Sequence, residues 1–163
     1  MKFYIWTDGG CSGNPGPGGW AFVVTNVQGK IIGEGKGGEL ETTNNRMELL
    51  AVINALKYIS RKHFNIDLIT VHTDSQYVEK GMTEWVIRWK MNGWKTSDQK
   101  PVKNMDLWLK LDKLSLELPV TWQWVESHVG IPLNERCDKM THEAIEKLLP
   151  KPVKPNTKKP RHR

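Results

Sequence analysis

Apolar and polar positions along the chain divide it into short elements with two different periods. Residues 2–8 carry Phe3, Tyr4, Ile5 and Trp6 and read as a strand. A connection of glycine and proline follows, Gly9-Gly10-Cys11-Ser12-Gly13-Asn14-Pro15-Gly16-Pro17-Gly18-Gly19, and then a second apolar run, Trp20-Ala21-Phe22-Val23-Val24. A turn at residues 26–30 sends residues 31–38 back as a third strand, which makes an antiparallel meander. Thr42-Thr43-Asn44-Asn45 supplies capping side chains for a helix in which Leu49, Val52, Ile53, Leu56 and Ile59 keep helical spacing. Met47, Leu50 and Ala51 make its neighbouring face apolar as well, so this helix is expected to be largely buried.

Residues 67–73 predict a fourth strand, and it ends at an acid, Asp74, as the first ends at Asp8. A strand–helix–strand crossover is nearly always right-handed and parallel, so pairing the fourth strand with the first makes these two aspartates neighbours. Ser75 can cap a short helix that runs to Gly81, and a second helix, with Trp85 and Trp89 one turn apart, stops near Asn92-Gly93. Residues 94–102 read as an irregular, cation-rich loop. Asn104 can start a helix with Leu107, Leu111 and Leu114 on one side, and residues 120–125 alternate as a fifth strand. A last helix from about Asn134 turns Cys137, Met140, Thr141, Ala144, Ile145 and Leu148 inward and ends at Pro150.

The 163 residues suit one domain, long enough to bury about 70% of the surface of the unfolded chain. Two cysteines, Cys11 and Cys137, are too few for a disulfide framework and fit a reduced cytoplasmic setting. The first acid arrives too early for a signal peptide, and no apolar run reaches membrane-spanning length. A net charge of +6 is unevenly placed: six of the 24 cations lie in residues 151–163, which hold no acid, and the rest of the chain is balanced. Within that balanced part, residues 88–103 carry Arg88, Lys90, Lys95, Lys100 and Lys103 against Asp98 alone. Such concentrations of positive charge suit a polyanionic partner met at defined places.

Each acid at a candidate position has an ordinary reading. Glu48 can complete a capping box with Asn45, Asp74 can cap the next helix, and Asp138 can be a surface acid beside Cys137. Together they point elsewhere, because ligands of open α/β sheets bind beyond the strand ends, where Asp8 and Asp74 stand. Carboxylates that meet in one cleft repel unless a cation holds them, and oxygen ligands without a His or Cys cluster suit Mg²⁺ or Mn²⁺. A dinucleotide-binding reading of the glycines fails, since their spacing is wrong and a strand follows them.

Seven motifs in order, Thr7-Asp8-Gly9-Gly10, residues 11–19, Thr43-Asn44-Asn45-Arg46-Met47-Glu48-Leu49, Thr73-Asp74-Ser75-Gln76-Tyr77-Val78, Gly93-Trp94-Lys95-Thr96, Lys103-Asn104 and Asn134-Glu135-Arg136-Cys137-Asp138, resemble the bacterial type 1 ribonuclease H family over residues 1–149. The resemblance implies an α/β fold, a five-stranded mixed sheet with helices on both faces, and a catalytic domain at 1–149; residues 150–163, unlike the family's core and rich in Lys, Pro and Arg with nothing to bury, read as a basic, disordered tail. It implies a monomeric endonuclease that cuts the RNA strand of an RNA–DNA hybrid and leaves 5′-phosphate and 3′-hydroxyl ends. Asp8, Glu48, Asp74 and Asp138 would be its metal-binding carboxylates. Two cations about 3.5 to 4 Å apart can activate a water and neutralise the leaving oxygen without an enzyme-bound intermediate. His128 stands where the family has a loop histidine that aids proton transfer or product departure. Alternatives with the same fold are a noncatalytic binding module, disfavoured by four acids facing phosphate, and a DNA nuclease or integrase.

By the same resemblance Asn14, Asn44, Asn45, Gln76 and the backbone at Cys11 lie along the RNA strand, where short amides suit the 2′-hydroxyl. Thr43 and Asn104 match a phosphate pocket for the DNA strand, and Trp85, Trp89, Lys90 and Trp94 belong to a basic protrusion. Two departures stand out. Glu41 replaces a frequent arginine near that pocket, and Met91-Asn92 replaces further cations, a loss for which the basic tail is expected to compensate.

Overall fold

A computed structural model describes residues 1–62 and 65–150. The basic tail at 151–163, expected to be disordered, lies outside the described residues. The strands are β1 (Lys2–Cys11), β2 (Gly16–Asn26), β3 (Ile31–Thr42), β4 (Leu68–Thr73) and β5 (Val120–Trp124). They form one sheet in the order β3-β2-β1-β4-β5, antiparallel across β3, β2 and β1 and parallel across β1, β4 and β5. The helices are α1 (Asn44–Arg61), α2 (Gln76–Lys80), α3 (Val86–Met91), α4 (Met105–Glu117) and α5 (Pro132–Leu148).

Alternation along β1 sets the two layers. Phe3 and Ile5 join Phe22, Val24, Ile69 and Val71 under α1 and α4, where Leu49, Val52, Ile53, Leu56, Trp108 and Leu111 complete the main core. Trp6 faces the other way and packs with Ala21, Val23, Cys137, Met140 and Leu133 under α5. Helices therefore cover both faces, as the mixed α/β reading requires.

Four details differ from the sequence expectation. β1 and β2 do not stop at the glycines; they stay paired through Cys11 and Gly18, and the reversal is confined to residues between them. The reason is close packing. A Cβ on Gly9 would collide with the backbone of Met47 and Glu48, and one on Gly18 would meet Cys11 and Met47 side chains, so glycine there lets α1 settle onto the strands. The short helices either side of Gly81 are not separate; a π-helical turn at Gly81–Trp85 joins α2 to α3. Gly81 lies directly under the ring of Trp108, where a side chain would not fit. α5 begins at Pro132, two residues before Asn134, which suits a residue that lacks the N–H a first turn leaves unused. Asn104 precedes α4 in a left-handed conformation, φ 58°, and its side chain does not cap the helix.

Candidate active site

The register of the sheet brings the first two acids together. Thr7 pairs with Thr73 in the parallel β1–β4 ladder, so the next residues, Asp8 and Asp74, stand side by side at the same end. α1 supplies the third. Thr43 is its N-cap, accepting a hydrogen bond from Arg46 N at 3.3 Å, so Glu48 lies beyond the first turn and takes no part in a capping box. Ser75, through Val78 N at 3.2 Å, caps α2 and leaves the Asp74 carboxylate free of that duty. With the packing of Met47 and Glu48 against Gly9, one carboxylate oxygen from each of Asp8, Glu48 and Asp74 comes within 4.8 Å of the others.

Asp8 is 7% exposed, and burial, then Asp74, then Asp138 push its carboxyl up to about 7. The Thr141 hydroxyl, beside it but short of hydrogen-bonding geometry, opposes that rise, as does the Gly9 N–H. Burial, with Asp8 and Asp74, raises Glu48 well above the usual carboxylate range, and its Oε2 is shut off from solvent without a partner. Asp74 is raised by burial and by Asp138, while His128 works the other way. Its Oδ2 accepts from Asn134 Nδ2 at 3.5 Å, and its backbone carbonyl accepts from Trp124 Nε1 at 3.1 Å.

These acids open into a cavity of about 630 Å³ that Asp138, His128, Cys11, Ser12, Thr141 and His142 also line. Asp138 sits on α5 outside the tight trio, with its Oδ1 3.6 Å from His142 Nε2. His128 is exposed, on a loop where it adopts φ 57°. The donor set matches a hard divalent cation: three convergent carboxylates supply oxygen ligands only, and one of them has an orphaned buried oxygen.

Two of the short amides, Asn14 and Asn44, are joined to cavity-lining Cys11, though none of the four lines the cavity itself. Cys11 N donates to Asn44 Oδ1 at 2.7 Å and Asn44 N donates to Asn14 Oδ1 at 3.0 Å, which ties the β1–β2 reversal to the start of α1. Asn45 and Gln76 are exposed nearby in sequence, at the first turns of α1 and α2. Thr43 and Asn104 are linked through Arg46, whose guanidinium donates to Asn104 Oδ1 at 3.2 Å and forks onto Asp106 at 3.0 and 2.9 Å. Asn104 Nδ2 and Trp108 Nε1 both donate to the Tyr77 hydroxyl. Trp85, Trp89 and Trp94 do not line the cavity. Their rings meet in succession, tilted and 6.1 Å apart, and Trp89 meets Trp108 at 5.4 Å, so they fasten residues 81–102 to the core. Lys90 is engaged by Asp112 at 2.8 Å.

A family model described as RNase H matches residues 1–146. The chain belongs to the ribonuclease H family. It is thereby an enzyme of that class, and relatives support the assignment along nearly the whole chain. It is 50% identical over 160 residues to the ribonuclease H of Treponema denticola, covering 91% of this chain and all of that one. It is 53% identical over 145 residues to that of Ruegeria sp. TM1040, covering 87% and 90%. Among solved structures, LC9-RNase H1, a type 1 RNase H with the type 2 active-site motif, superposes with a TM-score of 0.80 at 31% identity over 91% of this chain and 74% of that one. LC11-RNase H1, solved in complex with an RNA/DNA hybrid, gives 0.71 at 26% identity over 89% and 97%.

The sequence turned Thr141 inward without placing it beside Asp8, and it pointed neither to His142 nor to the Arg46–Asp106 fork. Thr141 and His142 follow Asp138 by three and four residues on α5, so helical spacing from that acid was the signal that could have found them. Nothing local in the sequence points from Arg46 to Asp106.

Proposed function

We propose that this ribonuclease H hydrolyses the RNA strand of RNA–DNA hybrids endonucleolytically, leaving 5′-phosphate and 3′-hydroxyl ends. Asp8, Glu48, Asp74 and Asp138 would hold two divalent ions, Mg²⁺ or Mn²⁺. The observation that carries this reading is the trio of carboxylates within 4.8 Å at the base of an open cavity, because ionised groups so placed need a cation between them. When bound, such ions supply charge neutralisation at a scissile phosphate and lower the pKa of a bound water. The chain's own part is orientation. Gly9 sets the depth of Glu48, Asn134 orients Asp74, and the tight burial of Asp8 fixes its carboxylate before substrate arrives. His128, exposed and lining the cavity, would take up or deliver a proton as product leaves.

The hybrid complex of LC11-RNase H1 supports the same class of substrate here. Asn14, Asn44, Asn45, Gln76 and the Cys11 backbone would read 2′-hydroxyls along the RNA strand. Thr43 and Asn104 would contact a DNA-strand phosphate, with Arg46 supplying positive charge that exposed Glu41 offsets. Trp85, Trp89, Lys90 and Trp94 would act in binding chiefly by holding the basic segment in place, and the tail would add nonspecific phosphate contacts. The chain would work as a monomer in the cytoplasm, in keeping with its free thiols and with the absence, among the described residues, of any helix long and apolar enough to cross a membrane. The deciding experiment offers labelled RNA–DNA, RNA–RNA and DNA–DNA duplexes to the chain and to Asp8→Asn, with Mg²⁺ or chelator. Metal-dependent cutting of the RNA in the first duplex alone, lost on substitution, is expected; cutting of DNA, or activity in chelator, would refute it.

A further inference from the structure

One wall of the cavity is a single face of α5, where Asp138, His142 and Glu146 follow one another at one-turn spacing and all line the opening. His142 Nε2 lies 3.6 Å from Asp138 Oδ1. Two ligand atoms each about 2.0–2.2 Å from one ion, at tetrahedral to right angles, stand roughly 3.0–3.5 Å apart, so a small rotation of either side chain brings the pair to chelating distance. Carboxylate oxygen and imidazole nitrogen are both ordinary zinc ligands, and a spacing of four residues sets this pair on one face of the helix. Both groups have room to turn: the His142 side chain is 65% exposed and that of Asp138 35%. The oxygen-only trio of Asp8, Glu48 and Asp74 suits hard ions, whereas an imidazole beside Asp138 favours ions with an affinity for nitrogen, zinc far above magnesium. His142 has no task in the hydrolysis described above.

We propose that Asp138 and His142 form a separate site for Zn²⁺ at the mouth of the cleft, and that filling it inhibits the enzyme by keeping Asp138 from joining the acid trio. The inhibition rests on the reading of Asp138 as one of the hydrolytic carboxylates; the Zn²⁺ site itself does not. Asp138 stands on the helix wall outside the trio, and a Zn²⁺ ion shared with His142 holds it there, so that it does not turn in toward the other acids.

The test uses the full chain in two parallel measurements. Calorimetric titration of the metal-free protein with Zn²⁺ compares the parent with His142→Gln, and cleavage of a hybrid in excess Mg²⁺ is followed as Zn²⁺ is added. Loss of a neighbour that merely supports a metal ligand costs about 10–100-fold in affinity, and loss of the ligand itself is expected to cost at least tenfold. His142→Gln should therefore weaken one Zn²⁺ binding event about tenfold or more, keep its Mg²⁺ activity, and need a correspondingly higher Zn²⁺ concentration for half-inhibition. Zn²⁺ binding and inhibition identical to the parent's would overturn the proposal, and so would relief of inhibition by His128→Ala but not by His142→Gln. Should the parent cut no hybrid at all, the nuclease reading fails while calorimetry still decides the site.

Discussion

Neutralising one acid should make the metal-free protein more stable while abolishing its activity. Asp8 is buried against Asp74, Asp138 and Glu48, and its carboxyl rises from 3.8 to about 7. The sign follows from proton linkage. Between those two values the folded state holds a proton that the unfolded state has released, so stability is greatest below the unfolded value and falls as pH rises through the folded one. A shift of roughly three units at about 1.36 kcal/mol each sets a ceiling of about 4 kcal/mol on the cost of ionising Asp8 near pH 8, falling to about 1 kcal/mol near pH 4.5. Asp8→Asn preserves shape and removes the charge, so in chelator near pH 8 it should recover a large part of that cost. For a chain of this size each 1 kcal/mol moves the melting temperature by about 2–4 °C, which predicts a rise on the order of 5–15 °C. Thermal unfolding of both proteins in chelator at the two pH values reads this directly. Equal melting temperatures near pH 8, or a gap that does not narrow on acidification, would refute the reasoning. Mg²⁺ should reverse the order by stabilising the parent much more than the variant.

Three further outcomes follow from the same structure. Gly9→Ala places a methyl against the backbone of Met47 and Glu48, so it should cost about 1–3 kcal/mol in denaturant unfolding and weaken Mg²⁺ binding measured by calorimetry; an unaltered metal affinity would mean that Gly9 does not set the position of Glu48. His128→Ala should lower kcat by about 10²-fold while metal and hybrid affinities stay the same, because it is not one of the three clustered acids; a complete loss of activity in steady-state assays would count against a role in proton transfer alone. A chain ending at Pro150 lacks six cations, so its log–log salt dependence of hybrid binding should be shallower by at most about 5, and an unchanged slope would exclude the tail from the interface.

Much of the site was legible because its signals are local. An acid after each of two apolar runs, an intervening helical period and the handedness of a crossover were enough to place Asp8 beside Asp74, and the β1–β4 register does so. The family motifs extended the same reading to Glu48. Cap assignments were harder, since Thr43, Asn44 and Asn45 are all competent caps; the competition was settled when Asn44 was drawn to Cys11 and Asn14 across the chain reversal. The tryptophans were similarly ambiguous, because an aromatic residue in a basic segment serves a base and a core equally well until its neighbours are known. Here Tyr77, from the preceding helix, and Trp108, distant in sequence, take up the rings of Trp85 and Trp89.

What the sequence alone determined is the order and type of the elements and the chemistry available at strand ends, since periodicity, punctuation and residue type are properties of neighbours along the chain. Tertiary structure alone decided where β1 and β2 stop, how near Glu48 approaches the aspartates, and that Asp138 stands at the rim with His142 rather than inside the trio. The physical reason is that these are contacts between surfaces brought together only by folding. The glycines that look like strand breakers when read locally are the places where a helix must touch a strand, and that need exists only once both are packed.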